Sequence, residues 1–341
     1  MRSAVFGGLV DGFLSRLASF DRILLTTHEQ PDPDGIGSIL GLAWHLHGLG
    51  KEFRLVISSL RPPSFLGFVD PKGWVRCFDR ESFEETAQWP DCWVLADANE
   101  VGRLGPLKEA FSASKAVKCC IDHHEPSSDL GVFDLVTTDP RASSTCELVF
   151  DAVCSAGQGD VPLEMAVALY AGIVDDTGGF RFSCTSPKVM KIGAALLERG
   201  VAPSEVNRAL YSQATPAKLR LEALALGKMA LHRNERLAVS TVSLRDLDSV
   251  GAVHEDLEGL VSRPMDLRTV EVSALFYEKL NGSVKVSMRS KRSVDVFAVC
   301  RLFGGGGHRL ASGATLPGPV ESALEAVLPA LSARIEMDLG Q

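Results

Sequence analysis

VKCCIDHHEP (residues 117–126) starts as an apolar run and stops on a polar cluster. A β-rich segment that ends on Asp122, His123 and His124 reads as a buried strand with its polar groups at the carboxyl end. Packing gives no reason for two adjacent imidazoles there, although one of them can serve as a hydrogen-bonded turn residue. RILLTTH (22–28), EFRLVISS (52–59) and WVLAD (93–97) are further strand-like runs, and the first and last of these also end on a His or an Asp. Helical periodicity follows in GIGSILGLAWHLHGLG (35–50) and over 143–157, 163–174 and 186–200. This alternation predicts an α/β domain with a mainly parallel sheet, in which ligands gather at the carboxyl ends of the strands.

After Gly200 the pattern changes. Residues 201–230 are largely helical, with Pro203 and Pro216 as expected helix starts. Strand-like alternation returns at 237–244, 269–278 and 282–290, followed by DVFAVCRLF (295–303), GGGGH (304–308) and a closing helix over about 319–335. The 341 residues therefore divide into a parallel-sheet metal domain (1–200), a helical connector (201–230) that permits a hinge, and a smaller α/β substrate domain (231–341). The net charge of −8 is uneven: residues 216–341 carry 16 Lys and Arg against 15 Asp and Glu, which leaves 19 against 28 in residues 1–215. An acidic part beside a neutral one suits metal binding in the first and an anionic ligand in the second, although solubility alone also explains such a count. The eight cysteines show no CxxC or zinc-knuckle spacing and fit free thiols in a reducing compartment. Asp11 and Arg16 interrupt the apolar start, and no window approaches the ~18 apolar residues of a membrane span, so a soluble cytoplasmic protein without membrane partners is expected.

Four clusters carry the chemistry. TTHEQPDPDGIGS (26–38) places His28, Asp32 and Asp34 within seven residues after the first strand; a capped turn explains this cluster as well as a metal site does. Gly35 and Gly37 are expected to let the chain turn tightly into the next helix. Asp97 ends the 93–97 run, where a lone Asp ordinarily caps a turn. Asp122, His123 and His124 form the third cluster. Asp175 and Asp176 end an apolar helix in AGIVDDTGGFRF (171–182), where a buried carboxylate needs a cation. Together they offer carboxylates and imidazoles without thiolate, which suits manganese or magnesium and admits cobalt or zinc. Two such ions ~3.5–4 Å apart activate a water between them and clamp phosphate oxygens.

HxxxDxD (28–34), Asp97, DHH (122–124), DTGGF (176–180) and FGGGGH (303–308) resemble, in order and over nearly the whole chain, the DHH phosphoesterases with a DHH-associated C-terminal domain. The length resembles the compact bacterial type, which degrades very short RNA (nanoRNA) and removes the 3′-phosphate of adenosine 3′,5′-bisphosphate. Close relatives hydrolyse cyclic di-AMP or pApA. The resemblance implies two divalent ions, manganese first. One would be held by His28, Asp32 and Asp97, the other by Asp34, Asp97, His123 and Asp176, with Asp97 bridging. His124 would face the phosphate as general acid, and Asp122 would orient an imidazole. Asp175 would be structural. PDPDG (31–35) and FSCTSP (182–187) depart from the usual pattern without removing a ligand.

In the second domain, Gly305, Gly306 and Gly307 beside His308 would let backbone N–H groups approach an anion. Arg289 and His308 are the expected contacts for a terminal phosphate or ribose, with Arg103 added from the first domain; Lys291 and Arg292 can equally be a solvated edge. In PRASSTCE (140–147), Ser144 and Thr145 are expected to cap a helix rather than bind substrate. With no long basic tract, short RNA or nucleotide ligands are favoured over long nucleic acid. A homodimer is compatible with the chain, and no segment requires one. Four rivals stand beside the nanoRNase and phosphatase reading: a cyclic di-AMP or pApA phosphodiesterase using the same ions, a pyrophosphatase or exopolyphosphatase, which the GGGGH run disfavours, a non-catalytic nucleotide sensor, and a plain α/β scaffold with incidental acidic turns.

Overall fold

In the computed structural model, which describes residues 12–59, 61–155 and 161–340, twelve strands form two sheets. The first contains β1 (Arg22–Thr26), β2 (Glu52–Ile57), β3 (Val75–Cys77), β4 (Cys92–Ala96), β5 (Val117–Asp122) and β6 (Leu135–Thr138). Their order is β3-β2-β1-β4-β5-β6 and every pairing is parallel. β4 is buried along its whole length, and a strand covered on both faces needs a continuous apolar run. Alternate side chains serve the two faces. Ile23, Leu25, Val94, Ala96, Cys119 and Ile121 join one core with residues of helices Pro33–Gly48, Thr145–Ser155 and Leu163–Asp176. Leu24, Trp93, Leu95 and Cys120 join a second core with Phe111. The chain runs outward from β1 through β2 to β3, then crosses to β4 on the other side of β1. Such a reversal opens a crevice at the carboxyl ends of β1 and β4.

Gly35 and Gly37 lie inside helix Pro33–Gly48 rather than in a turn before it, which corrects the expectation drawn from sequence. They serve close packing. A Cβ at Gly37 would stand 2.4 Å from the Ala168 carbonyl oxygen, and one at Gly172 would stand 2.8 Å from both the Asp34 Cα and its Oδ1. The helix bearing Asp34 and the helix ending in Asp176 approach each other only because these positions lack side chains.

Two compact units meet between Gln213 and Ala214. Helices Pro203–Tyr211 and Pro216–Gly227 both begin on the expected prolines, and the division falls between them, so the 201–230 segment contributes a helix to each unit. The second unit holds a mixed sheet of β7 (Ala230–His232), β8 (Leu237–Val242), β9 (Val272–Glu278), β10 (Ser283–Ser290), β11 (Gly306–His308) and β12 (Ala311–Pro317), ordered β11-β12-β10-β9-β8-β7. Only β8 and β9 pair in parallel. β10 alternates buried and half-buried residues, as expected of a strand with one face on a core. Helices Val296–Leu302 and Val320–Leu339 cover one face, and Pro216–Gly227 packs against the other.

Candidate metal centre

The polar residues that follow β1, β4 and β5 converge with the last residue of helix Leu163–Asp176. His28 Nε2 lies 3.4 Å from Asp32 Oδ2 and 3.4 Å from Asp97 Oδ2. Its Nδ1 donates to the Glu29 carbonyl at 2.9 Å, which turns Nε2 toward the two carboxylates. Nε2 is buried and forms no hydrogen bond in the protein. A buried imidazole nitrogen between two carboxylates is a place for positive charge, the ring's own proton in the ion-free chain or a metal ion in its stead. Asp32 caps a helix and still faces the imidazole: Oδ1 accepts from the Asp34 and Gly35 amides at 3.1 and 2.9 Å, while Oδ2 faces His28.

A second group forms around His123, whose Nε2 lies 3.1 Å from Asp176 Oδ2, 3.6 Å from Asp97 Oδ1 and 4.0 Å from Asp34 Oδ2. Asp34 is fully buried, and both its oxygens are held by the start of helix Thr145–Ser155: Oδ2 accepts from the Thr145 amide at 2.7 Å, Oδ1 from the Cys146 amide at 2.9 Å. Asp97 stands between the two groups, with one oxygen toward each. Its φ of 61° is a left-handed conformation that few residues other than Gly, Asn and Asp adopt, and such strain gathers at functional sites. Ligand atoms of His28, Asp32 and Asp97 lie within 4.8 Å of one another, as do those of Asp34, His123 and Asp176, and those of Asp97, His123 and His124. The structure thus brings His28, Asp32 and Asp97 together in one group and Asp34, His123 and Asp176 in another, with Asp97 Oδ1 near His123.

His124 is arranged differently. Its Nδ1 meets Asp122 Oδ1 at 2.7 Å, so Nε2 is the nitrogen left for a ligand. Asp122 is fully buried, and its other oxygen accepts from Asn99 Nδ2 at 2.5 Å. Asn99 is pinned in turn by the Ser127 amide at 3.0 Å. Burial alone would raise the Asp122 pKa, but the hydrogen bond and charge of His124 outweigh it and hold the carboxyl below its usual range. Hydrogen bonding to Asp122 lifts His124 above the ordinary imidazole value against the effect of burial.

Without ions the cluster is strained. Burial, then the charges of Asp34, Asp97 and Asp32, push Asp176 up to about 11. Asp176 is also the last residue of its helix, where the negative end of the dipole disfavours a carboxylate. Burial and Asp34 likewise drive Asp97 well above the carboxylate range. His28 rises to about 10: burial opposes its charge, and Asp32 and Asp97 overcome it. Carboxylates that keep protons at neutral pH for want of a counter-charge form a site that divalent cations complete. An open cavity of roughly 400 Å³ reaches these groups, lined by Asp32, Asp97, His123, His124, Asp176 and Cys184 among others. Cys184 belongs to the FSCTSP departure, so that stretch borders the site.

Arg103 is half-buried and its charge lowers the pKa of both Asp32 and His124, which places it within reach of the cluster. Tyr211 donates to Asp175 at 2.9 Å, in keeping with a structural role for that carboxylate. In the second unit, Lys291 donates to the Leu267 carbonyl at 2.9 Å, and Arg292 pairs with Glu271 at 3.2 Å. Arg289 is half-buried, donates to the Met288 carbonyl, and has no carboxylate partner among the described residues. Burial lowers its pKa. The glycine run has a packing cause of its own: a Cβ at Gly305 would stand 2.3 Å from the Gly313 carbonyl oxygen, whereas one at Gly306 would meet nothing within 4 Å. The His308 side chain lies outside the described residues. Sequence reasoning missed Asn99 and the contact of Thr145 with Asp97 (Oγ1 to Oδ1, 3.0 Å). Ser144, by contrast, caps its helix as expected, accepting from the Glu147 amide at 3.1 Å.

Residues 22–173 match the DHH family, N-terminal domain, and residues 234–337 match the DHHA1 domain. Bifunctional oligoribonuclease and PAP phosphatase NrnA of Thermus thermophilus is 34% identical over 315 residues, which cover 91% of this chain and 89% of that protein. The protein of the same name from Bacillus subtilis is 28% identical over 304 residues, 88% of this chain and 91% of its own. The crystal structure of an exopolyphosphatase-related protein from Bacteroides fragilis matches with a TM-score of 0.88 at 27% identity, over 95% of each chain. No helix among the described residues is long and apolar enough to cross a membrane.

Proposed function

Since this chain belongs to the DHH family of phosphoesterases, we propose that it hydrolyses short oligoribonucleotides and the 3′-phosphate of adenosine 3′,5′-bisphosphate, using two divalent ions. The observation that carries this reading is Asp97 standing between two groups of ligand atoms, with Oδ2 3.4 Å from His28 Nε2 and Oδ1 3.6 Å from His123 Nε2. His28, Asp32 and Asp97 would hold one ion; Asp34, Asp97, His123 and Asp176 would hold the other. Oxygen and imidazole donors without thiolate favour manganese, with magnesium and cobalt as substitutes. When bound, the ions supply Lewis acidity toward phosphate oxygens and activate a water.

The chain's own groups do the rest. Asp122, locked by Asn99, fixes the His124 ring and directs Nε2 at the substrate. The raised basicity of His124 suits it to hand a proton to the leaving oxygen. Arg103 adds a cation beside the cavity. In the second unit, Arg289 is a half-buried cation without a counter-ion among the described residues, a state relieved by an anionic ligand. Arg289→Ala is expected to raise KM about tenfold or more, as loss of a charge-assisted hydrogen bond does, with kcat little changed; steady-state kinetics on a short RNA would check it, and an unchanged KM would move phosphate binding elsewhere. Eight cysteines without a disulfide support a reducing, cytoplasmic setting.

The deciding experiment is hydrolysis, with manganese, of a 5′-phosphorylated RNA dinucleotide, adenosine 3′,5′-bisphosphate and cyclic di-AMP side by side. Fast turnover of the first two supports the proposal. Preference for cyclic di-AMP would replace it with signal degradation, and metal binding without turnover of any of them would make the chain a sensor.

A further inference from the structure

We infer that Thr145 is a positioning residue that fixes the half of the Asp97 carboxylate facing the second ion, and so governs the affinity of that ion separately from the first. The inference rests on the two-ion reading above. Asp97 offers Oδ2 to the His28 group and Oδ1 to the His123 group. The Thr145 hydroxyl donates to Oδ1 alone, at 3.0 Å, and the Thr145 amide donates to Asp34 Oδ2 at 2.7 Å. One residue therefore holds two carboxylates of the same group, through its side chain and its backbone. The His28 group is organised from elsewhere, with Asp32 anchored on the start of helix Pro33–Gly48.

Thr145 has no exposed surface, so water cannot take the place of its hydroxyl. With the hydroxyl on Oδ1, one lone pair of that oxygen is occupied, and the oxygen lies 3.6 Å from His123 Nε2. Without it, the Asp97 carboxyl, already strained by burial and its neighbours, is free to rotate about its last bond. Outer partners of metal ligands typically govern roughly 10–100-fold in metal affinity. Here that change should fall on one ion.

The experiment is isothermal titration calorimetry of manganese into the full chain, comparing wild type with Thr145→Val and Thr145→Ser, and checking each by thermal melting. Val keeps the shape and the backbone donor and removes the hydroxyl; Ser keeps the hydroxyl. The expected result is two binding events in wild type and Ser, and in Val one event weakened at least tenfold while the other stays within about twofold. On a short RNA, kcat should fall in Val at sub-saturating manganese and recover at high manganese, with KM for the RNA unchanged. Equal weakening of both events, unchanged binding in Val, or failure of Ser to restore binding would overturn the inference while leaving the two-ion reading intact. Wild type that binds no manganese would remove that reading and this inference with it.

Discussion

Asp97→Asn is expected to lower kcat/KM by about three orders of magnitude or more and at the same time to raise the melting temperature of the metal-free protein. The loss follows from removing the one carboxylate that faces both ligand groups. Several kcal/mol of transition-state stabilisation depend on bound ions, and each ~1.4 kcal/mol is a factor of ten in rate. The gain follows from the same position. In the metal-free chain burial first, and then the charges of Asp34 and Asp32, drive the Asp97 carboxyl well above the carboxylate range. Asparagine keeps the shape, tolerates the left-handed backbone and still accepts from Thr145, but it brings no charge. A function that is stored as repulsion shows itself when removing the group stabilises the fold. Turnover and melting curves on one preparation check both halves; retained activity would take Asp97 out of the bridging role.

The second large effect is the response of stability to pH and metal together. In the folded, ion-free chain Asp176 titrates near 11 against 3.8 for an ordinary Asp, and His28 near 10 against 6.5. Both folded values exceed the unfolded ones, so over the interval between them the native state holds more protons than the unfolded state. Stability is then fully present below the unfolded values and is lost as pH rises. Asp32, held at about 2, works the other way, but only below 3.8. The melting temperature of the chelated protein should therefore fall between about pH 6 and pH 9. Manganese, bound as proposed, would displace the protons and replace their charge, so its binding should release protons and reverse the trend. At a free concentration ~1,000 times Kd it contributes roughly 4 kcal/mol. At roughly 2–4 °C per kcal/mol for a unit of this size, the rise is on the order of 10 °C. Differential scanning calorimetry with chelator and with manganese across this range tests it, and a flat metal-free profile would contradict the strained cluster.

What the sequence made legible was whatever sits at a strand end. His28, Asp97 and the Asp122–His124 run follow apolar segments directly, and parallel strands deliver such residues to one edge. Asp176 was legible because a carboxylate that ends an apolar helix has no other outlet. The supports were not. Thr145 lies 111 residues from Asp34, where it donates its amide, and Asn99 reaches Asp122 across 23; local pattern carries no trace of either pairing. Gly35 and Gly37 were read for backbone freedom, whereas their use is contact distance, a property of the neighbouring helix. β7, β11 and β12 also went unread. Gly306, Gly307, Gly313 and Pro317 mask β11 and β12 as loop, although pairing to a neighbouring strand overrides such weak propensity.

Every side chain assigned to the ions lies between residues 28 and 176, inside the first compact unit, which ends at Gln213. Arg289 and the glycine run lie wholly in the other. If Arg289 and the glycine run read the phosphate as proposed, mutation in the later third of the gene would redraw which phosphoester is preferred without disturbing the proton and charge balance of the ion cluster. Two traits written on separate stretches of one chain are free to drift at separate rates, which makes a change of diet an easier evolutionary step for this enzyme than a change of chemistry.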